Sequence, residues 1–105
     1  MAFILRFVQE YPVAHRESFM ALEAEFAAME HRREDWPKGR RYQPYAGREP
    51  THTLIWQHEF PTLTEAQEAL QRIGADPEHE ELFRRQAPFI TRAHTEIFET
   101  LEFER

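Results

Sequence analysis

The fold is decided by the stretch His52-Thr-Leu-Ile-Trp-Gln-His-Glu-Phe-Pro-Thr-Leu-Thr-Glu65. Alternate positions in its first nine residues define the two faces of a β-strand. One face carries His52, Leu54, Trp56, His58 and Phe60, and the other carries Thr53, Ile55, Gln57 and Glu59. The stretch therefore predicts a strand with large apolar side chains on one face and an isoleucine on the other.

Two helix starts follow this strand. Thr62 and Glu65 match the capping box, in which a hydroxyl and a carboxylate satisfy exposed backbone donors, so we expect a helix to begin there. Gly74 can adopt the left-handed conformation that ends a helix. Asp76 then provides the cap of a second helix, and Pro77 fits its first turn because proline has no N–H to satisfy.

The rest of the chain adds three strands and one long helix. Alternation predicts a strand over 3–11, and apolar residues at intervals of three and four predict an amphipathic helix from about Val13 to near Asp35. The segment 38–45 alternates weakly and contains glycine and proline, so it predicts the poorest strand, placed at a sheet edge. Alternation returns over 92–103 and predicts the last strand.

If the two consecutive helices after the third strand are counted as one, the order of elements is β-α-β-β-α-β. This order predicts an α+β fold of the ferredoxin-like kind, with a four-stranded antiparallel sheet and the helices on one face. A chain of 105 residues is expected to form one domain, spanning 1–105. Whichever way the strands face, large apolar groups point away from the helices, and exposed patches of this kind mark interfaces. We therefore expect a homodimer whose two sheets stack face to face.

Composition excludes several classes of protein. The net charge of −6 argues against a nucleic-acid binder. Apolar runs are far shorter than the roughly 20 residues that a membrane helix needs, so no membrane association is expected. The N-terminus has no basic lead and the chain has no cysteine, which predicts a cytoplasmic protein without disulfides. A single serine and three glycines leave no covalent catalytic triad and no phosphate-binding loop.

Basic residues concentrate in the segment 32–48, which holds six of the thirteen lysines and arginines together with Trp36, Tyr42 and Tyr45. One interpretation is an exposed connector whose cations balance nearby carboxylates. The other is a lip that binds an anion. The sequence does not decide between them.

Two segments carry a resemblance to a known family: Thr53-Leu-Ile-Trp-Gln-His-Glu-Phe-Pro-Thr-Leu-Thr-Glu-Ala66 and Ala75-Asp-Pro-Glu-His-Glu-Glu-Leu-Phe83. In them the chain resembles the NIPSNAP branch of the dimeric α+β barrel proteins. The resemblance implies ferredoxin-like subunits that form a dimeric α/β barrel. That superfamily includes antibiotic-biosynthesis monooxygenases, haem-degrading enzymes and members without an assigned activity, so function stays open. His79 stands where the family often has a bulky aromatic, and its place in a first helical turn predicts an exposed side chain.

Five side chains are candidates for a functional site. His58 and His94 are the candidate catalytic groups, because imidazole is the usual proton carrier near neutral pH. Trp56 is a candidate pocket wall beside His58, and Tyr42 is expected to add a phenol to the same cavity. Arg6, the only cation in an otherwise apolar strand, is a candidate partner for an anionic ligand. Core packing of Trp56 and structural roles for the histidines are the competing interpretations.

No metal site is predicted, since His52 and His58 lie about 20 Å apart along an extended strand. The sequence predicts no particular cofactor, and haem is left open. The order of elements and the apolar residues on both faces of the strands favour a protein that binds a small apolar molecule. The alternative is a cofactor-independent or haem-related monooxygenase, and a non-catalytic ligand-sensing module is the competing class.

Overall fold

The computed structural model describes residues 1–103. Its elements are β1 (Phe3–Glu10), α1 (Arg16–Arg32), β2 (Arg40–Tyr42), β3 (Thr53–Phe60), α2 (Leu63–Ala75), α3 (Pro77–Gln86) and β4 (Arg92–Glu99). Short 3-10 turns at Val13–His15 and Ala87–Phe89 precede α1 and β4. Within the described range, no helix has the length and apolar character needed to cross a membrane.

The four strands form one antiparallel sheet in the order β2-β3-β1-β4. In the register, Leu5 of β1 lies opposite His58 of β3 and Ile97 of β4. Trp56 of β3 lies opposite Arg41 of β2. This strand order confirms the predicted ferredoxin-like α+β fold, and β2 lies at the sheet edge as its weak alternation predicted.

The helices cover one face of the sheet and bury the apolar core there. That core consists of Leu5, Trp56 and Phe60 from the strands, Phe26 and Met29 from α1, Ala66, Ala69 and Ile73 from α2, and Leu82 from α3. Because side chains alternate along a strand, the neighbouring positions point to the opposite face. We call that opposite face the outer face; it carries Ile4, Arg6, Val8, Tyr42, Ile55, Gln57, His94, Glu96 and Phe98.

The outer face combines apolar side chains with paired charges. Arg6 donates from Nε to Gln57 Oε1 over 3.1 Å, and its guanidinium lies 4.7 Å from the ring centroid of Phe98. Glu96 lies 3.9 Å from Arg6 Nη1. Phe98 remains 40% exposed and Tyr42 42% exposed. The chain therefore leaves aromatic surface on this face in contact with water.

The predicted end of the last strand is wrong. We expected a strand over 92–103, but β4 ends at Glu99. β4 pairs only with β1, and Glu99 lies opposite Phe3, the first residue of that strand. One further backbone hydrogen bond continues the pairing, from the N–H of Thr100 to the carbonyl oxygen of Ala2 over 2.8 Å, but residues 100–103 are not in a strand. The long helix is also shorter than predicted, since α1 covers Arg16–Arg32.

The predicted role of Gly74 is also wrong. α2 continues through Gly74 to Ala75, and Gly74 has no positive φ. The helix ends instead at Asp76, which is extended with φ −77° and ψ 125°. Asp76 precedes Pro77, and the residue before a proline is pushed out of helical geometry. The proline that begins α3 thus also ends α2.

Candidate functional site

A cavity of about 260 Å³ lies between the helix-covered face of the sheet and helices α1 to α3. Its walls are mainly apolar and include Phe7, Phe26, Trp36, Trp56, Leu70 and Ile73. The rings of Phe7 and Trp56 stack with their centroids 5.1 Å apart. The cavity therefore offers flat aromatic surfaces to a bound molecule.

Buried charges line part of this cavity. Glu23 and Glu30 lie on α1, seven residues apart, and are only 7% and 6% exposed. Arg41 reaches them from β2: its Nε donates to Glu23 over 2.6 Å and its Nη2 to Glu30 over 2.5 Å. Such pairing and hydrogen bonding is what offsets the cost of removing charged groups from water.

Glu30 accepts more hydrogen bonds than Glu23 does. It accepts two N–H groups of Arg41, the indole N–H of Trp56 at 3.1 Å and the backbone N–H of Gly39 at 3.2 Å. Four donors match the roughly four lone-pair sites of a carboxylate. Glu30 thus connects α1 to the edge strand β2 and to the cavity wall on β3.

Gln86, the last residue of α3, completes the polar lining. It is fully buried, and its Nε2 donates to Glu23 Oε1 over 2.9 Å and to the carbonyl oxygen of Phe19 over 3.4 Å. Its Oε1 has no hydrogen-bond partner among the described residues. We refer to Glu23, Glu30, Arg41 and Gln86 as the polar cluster.

His79 packs against the aromatic wall of the cavity. Its ring stacks on Trp36 with centroids 5.7 Å apart and lies 5.1 Å from the ring of Phe26. Burial lowers the pKa of this imidazole, although the charge of Asp76 opposes the shift. The predicted exposure of His79 is therefore wrong. Asp76 caps α3 and pairs with Arg33 over 2.7 Å, which holds the first turn of α3 against the end of α1.

Comparison with known proteins rests on solved structures. No protein-family model matches the chain, and no curated protein matches it. A NIPSNAP family protein from Agrobacterium tumefaciens matches with a TM-score of 0.76 and 13% identity, over 98% of this chain and 96% of that chain. A NIPSNAP domain protein from Burkholderia xenovorans matches with a TM-score of 0.74 and 12% identity, over 100% and 99% of the two chains. The chain has a NIPSNAP-like fold.

The same fold extends to a protein with a proposed activity. A putative antibiotic biosynthesis monooxygenase from Nitrosomonas europaea matches with a TM-score of 0.68 and 9% identity, over 95% of this chain and 90% of that chain. At these identities the likeness describes the backbone. Chemistry on a NIPSNAP-like fold has to be argued from the side chains of this chain.

The NIPSNAP-like fold places two of the five candidate side chains on its helix-covered face. Trp56 is packed in the core and also lines the cavity, so the two interpretations of this residue are compatible. His58 shares the face but does not line the cavity. Its Nδ1 lies 2.6 Å from the carbonyl oxygen of Lys38.

Tyr42 lies on the outer face and not beside Trp56. In the register of β2, Arg41 lies opposite Trp56, and Tyr42 lies opposite Ile55. Arg41 therefore occupies the position facing the cavity, where the side chain of Tyr42 was expected. A shift of one residue reverses the faces of a strand, and three residues of weak alternation do not define that choice.

The other two candidates also lie on the outer face. Arg6 bonds to Gln57 and lies near Glu96. His94 lies at the rim of the cavity on β4, and its Nε2 is 3.4 Å from Glu96 Oε2. Over residues 1–103, no three histidine, aspartate or glutamate side chains are gathered closely enough to hold a metal ion.

Three of the six cations in the basic segment 32–48 pair with carboxylates: Arg32, Arg33 and Arg41. Arg33 pairs with Asp35 and Asp76 at the surface, as the connector interpretation expects. Arg41 differs, because its partners are the buried carboxylates of α1 and it lines the cavity. Only one cation of this segment therefore belongs to the candidate site.

Sequence reasoning missed the polar cluster. A signal was present for its carboxylates: Phe19, Glu23, Phe26 and Glu30 recur at intervals of four, three and four, which is the spacing of a buried helical stripe. Two glutamates inside such a stripe predict buried charges that need partners. Gln86 has no comparable signal, because its burial depends on how α3 packs against α1.

Glycine is required where the chain crosses the indole of Trp56. A Cβ added at Gly39 would lie 1.8 Å from Trp56 Nε1 and 2.0 Å from Cε2. Gly39→Ala must therefore displace either the indole of Trp56 or the backbone that leads into β2. The indole N–H and the backbone N–H of Gly39 both donate to Glu30. We expect the free energy of unfolding to fall by about 2 kcal/mol or more, measured by urea denaturation at fixed protein concentration.

Gly74→Ala is the matched control. An added Cβ at Gly74 meets no heavy atom within 4 Å, and the residue lies inside α2. Alanine there should stabilise the protein by about 0.5–1 kcal/mol, because glycine loses more backbone freedom on folding. Equal effects of the two substitutions would show that Gly39 is not constrained by Trp56.

His79 should make stability depend on pH. Its pKa is lowered in the folded state, so the unfolded chain binds a proton first as pH falls below about 6.5. The free energy of unfolding should therefore decrease between pH 7.5 and pH 5.5. His79→Phe keeps the aromatic contact and should lose less stability over this range in urea titrations.

The exposed His31→Gln is the control and should behave as wild type. A His79→Phe variant as pH-sensitive as wild type would refute this assignment.

Proposed function

We propose that this protein binds a small, largely apolar molecule in the cavity between its helices and its sheet. The observation that carries the proposal is an aromatic-walled cavity with buried polar groups in its lining. Ligand sites typically combine apolar walls with a few placed polar groups. A cavity of about 150 Å³ can hold benzene, so about 260 Å³ suits a molecule of roughly two fused rings.

Naphthalene is a direct test of this proposal. The two tryptophans of the chain, Trp36 and Trp56, both line the cavity, so binding should change the intrinsic fluorescence. Ala93→Phe places a ring at the cavity lining on β4 and should weaken binding about tenfold or more. Ala46→Phe adds the same ring in an exposed loop and should leave binding unchanged. Saturable binding that Ala93→Phe does not weaken would place the ligand elsewhere.

The proposal includes a homodimer stacked through the outer face. This face exposes part of Phe98 and Tyr42 and carries apolar Ile4 and Ile55 beside the Arg6–Glu96 pair. A two-fold axis brings the same patch of both subunits together, so a face that carries both signs of charge can complement itself. Two sheets stacked in this way would form the dimeric α/β barrel. The lack of cysteine supports a cytoplasmic location.

Light scattering tests the dimer. The mass in solution should be twice the subunit mass of 12.7 kDa. Ile55→Lys introduces a charge on the outer face and should shift the protein towards monomer. Leu63→Lys makes the same kind of change at an exposed position on α2 and should leave the dimer intact. A wild-type monomer at micromolar concentration would contradict the proposal.

A second candidate function is a monooxygenase acting on the bound molecule. It is favoured by Trp56 beside buried polar groups and by the match to the putative antibiotic biosynthesis monooxygenase. The cavity is smaller than the roughly 300–1,000 Å³ of typical ligand sites, which favours the cofactor-independent version over the haem-related one. Its proposed polar participants are His94, at the rim of the cavity, and His58, which lies on the same sheet face as the cavity but outside its lining. Oxygen uptake that is unchanged in His58→Ala and His94→Ala would remove those roles.

A further inference from the structure

We propose that the ligand of this cavity carries a cationic hydrogen-bond donor, a protonated amine, on its apolar ring system. This inference rests on the proposed function and specifies the chemical class of the molecule bound. It follows from the charge of the polar cluster and from an acceptor in that cluster that has no donor.

The polar cluster has an excess of negative charge. Glu23 and Glu30 contribute two carboxylates, and Arg41 contributes the single guanidinium between them. The two histidines in the lining do not cancel this charge: burial lowers the pKa of His79, and the imidazole of His94 lies on the outer face near Glu96. The cavity lining therefore has a formal charge of −1 in a partly desolvated space, which favours a cation and disfavours an anion.

The polar cluster also has more acceptors than donors. Glu30 has its four donors, whereas each oxygen of Glu23 receives only one, from Arg41 and from Gln86. Gln86 Oε1 receives none. Three N–H groups of Arg41 donate to the two glutamates, and an anionic carboxylate placed beside this guanidinium would meet both of them. A donor is what the cluster lacks.

The direction of the Gln86 amide is fixed by its surroundings. Its Nε2 donates to Glu23 Oε1 and to the carbonyl oxygen of Phe19. Exchanging the amide nitrogen and oxygen would place Oε1 against two other oxygens, one of them charged. The unpartnered atom is therefore an acceptor, and leaving such an atom buried without a donor is unfavourable.

The aromatic walls add a second source of attraction for a cation. Phe7, Trp36 and Trp56 line the same cavity as the polar cluster. Cations are attracted to the faces of aromatic rings, most strongly to indole, and more so when water is excluded. The ring system of the ligand and its ammonium group would thus both find partners in one cavity.

Four naphthalene derivatives of similar shape test the inference. They carry at position 2 an aminomethyl, a hydroxymethyl, an ethyl or a carboxylate group, and their Kd values are measured by calorimetry at pH 7 on the wild-type protein. We expect the ammonium compound to bind about tenfold or more tightly than the ethyl compound, with the carboxylate weakest. Equal or tighter binding of the ethyl compound or the carboxylate would overturn the inference while leaving the proposed function standing. Failure of all four to bind would overturn the proposed function, and this inference with it.

Glu23→Gln links the preference to the polar cluster. It removes the excess charge and should reduce the ammonium-to-ethyl preference about tenfold. Glu68→Gln makes the same change at an exposed position on α2 and should keep the wild-type preference. A folded Glu23→Gln protein that keeps the full preference would refute the inference, and the wild-type series decides if this variant does not fold.

Discussion

The buried carboxylate of Glu30 is the group on which the rest of the site depends. A charge that is only 6% exposed requires donors, because an unpaired buried charge is strongly destabilising. Its donors come from the side chain of Arg41, the indole of Trp56 and the backbone of Gly39. Satisfying one charge therefore fixes an edge strand, an aromatic side chain and the segment that leads into that strand.

The buried carboxylates also help to hold β2, the strand with the weakest sequence pattern, at the edge of the sheet. β2 has three residues, and its own sequence alternates weakly. Arg41 ties it to two carboxylates on α1, so side-chain pairs across the cavity supplement the short backbone ladder with β3. Arg40 and Tyr42 are then directed outward. The edge strand thus contributes a cation to the cavity and an aromatic ring to the outer face.

Local patterns predicted the fold well, because caps and alternation are read within a few residues. Thr62 accepts the backbone N–H of Glu65 and Asp76 that of His79, as their spacing predicted. One failure arose where a competing element decides: Pro77 ends α2 in place of Gly74. β4 ends at Glu99, although the alternation in the sequence continues to Phe103. In the site, Trp56 was found because large aromatics stand out in a strand. The polar cluster was missed: a glutamate on a helix is normally exposed, so the burial signalled by the spacing of Glu23 and Glu30 was overlooked, and the burial of Gln86 depends on tertiary packing.

Stability alone does not explain the polar cluster. Well-packed apolar side chains of similar volume are often as stabilising as a buried ion pair, or more so. Three ionisable groups and a glutamine with an unpartnered oxygen are therefore a costly way to fill space beside an aromatic cavity. They are a reasonable way to select a ligand by charge, since a desolvated charge discriminates strongly between cation, neutral molecule and anion. The outer face carries its charges differently, as the half-buried pair of Arg6 and Glu96. One sheet thus presents two chemically distinct surfaces, and the NIPSNAP-like backbone alone determines neither.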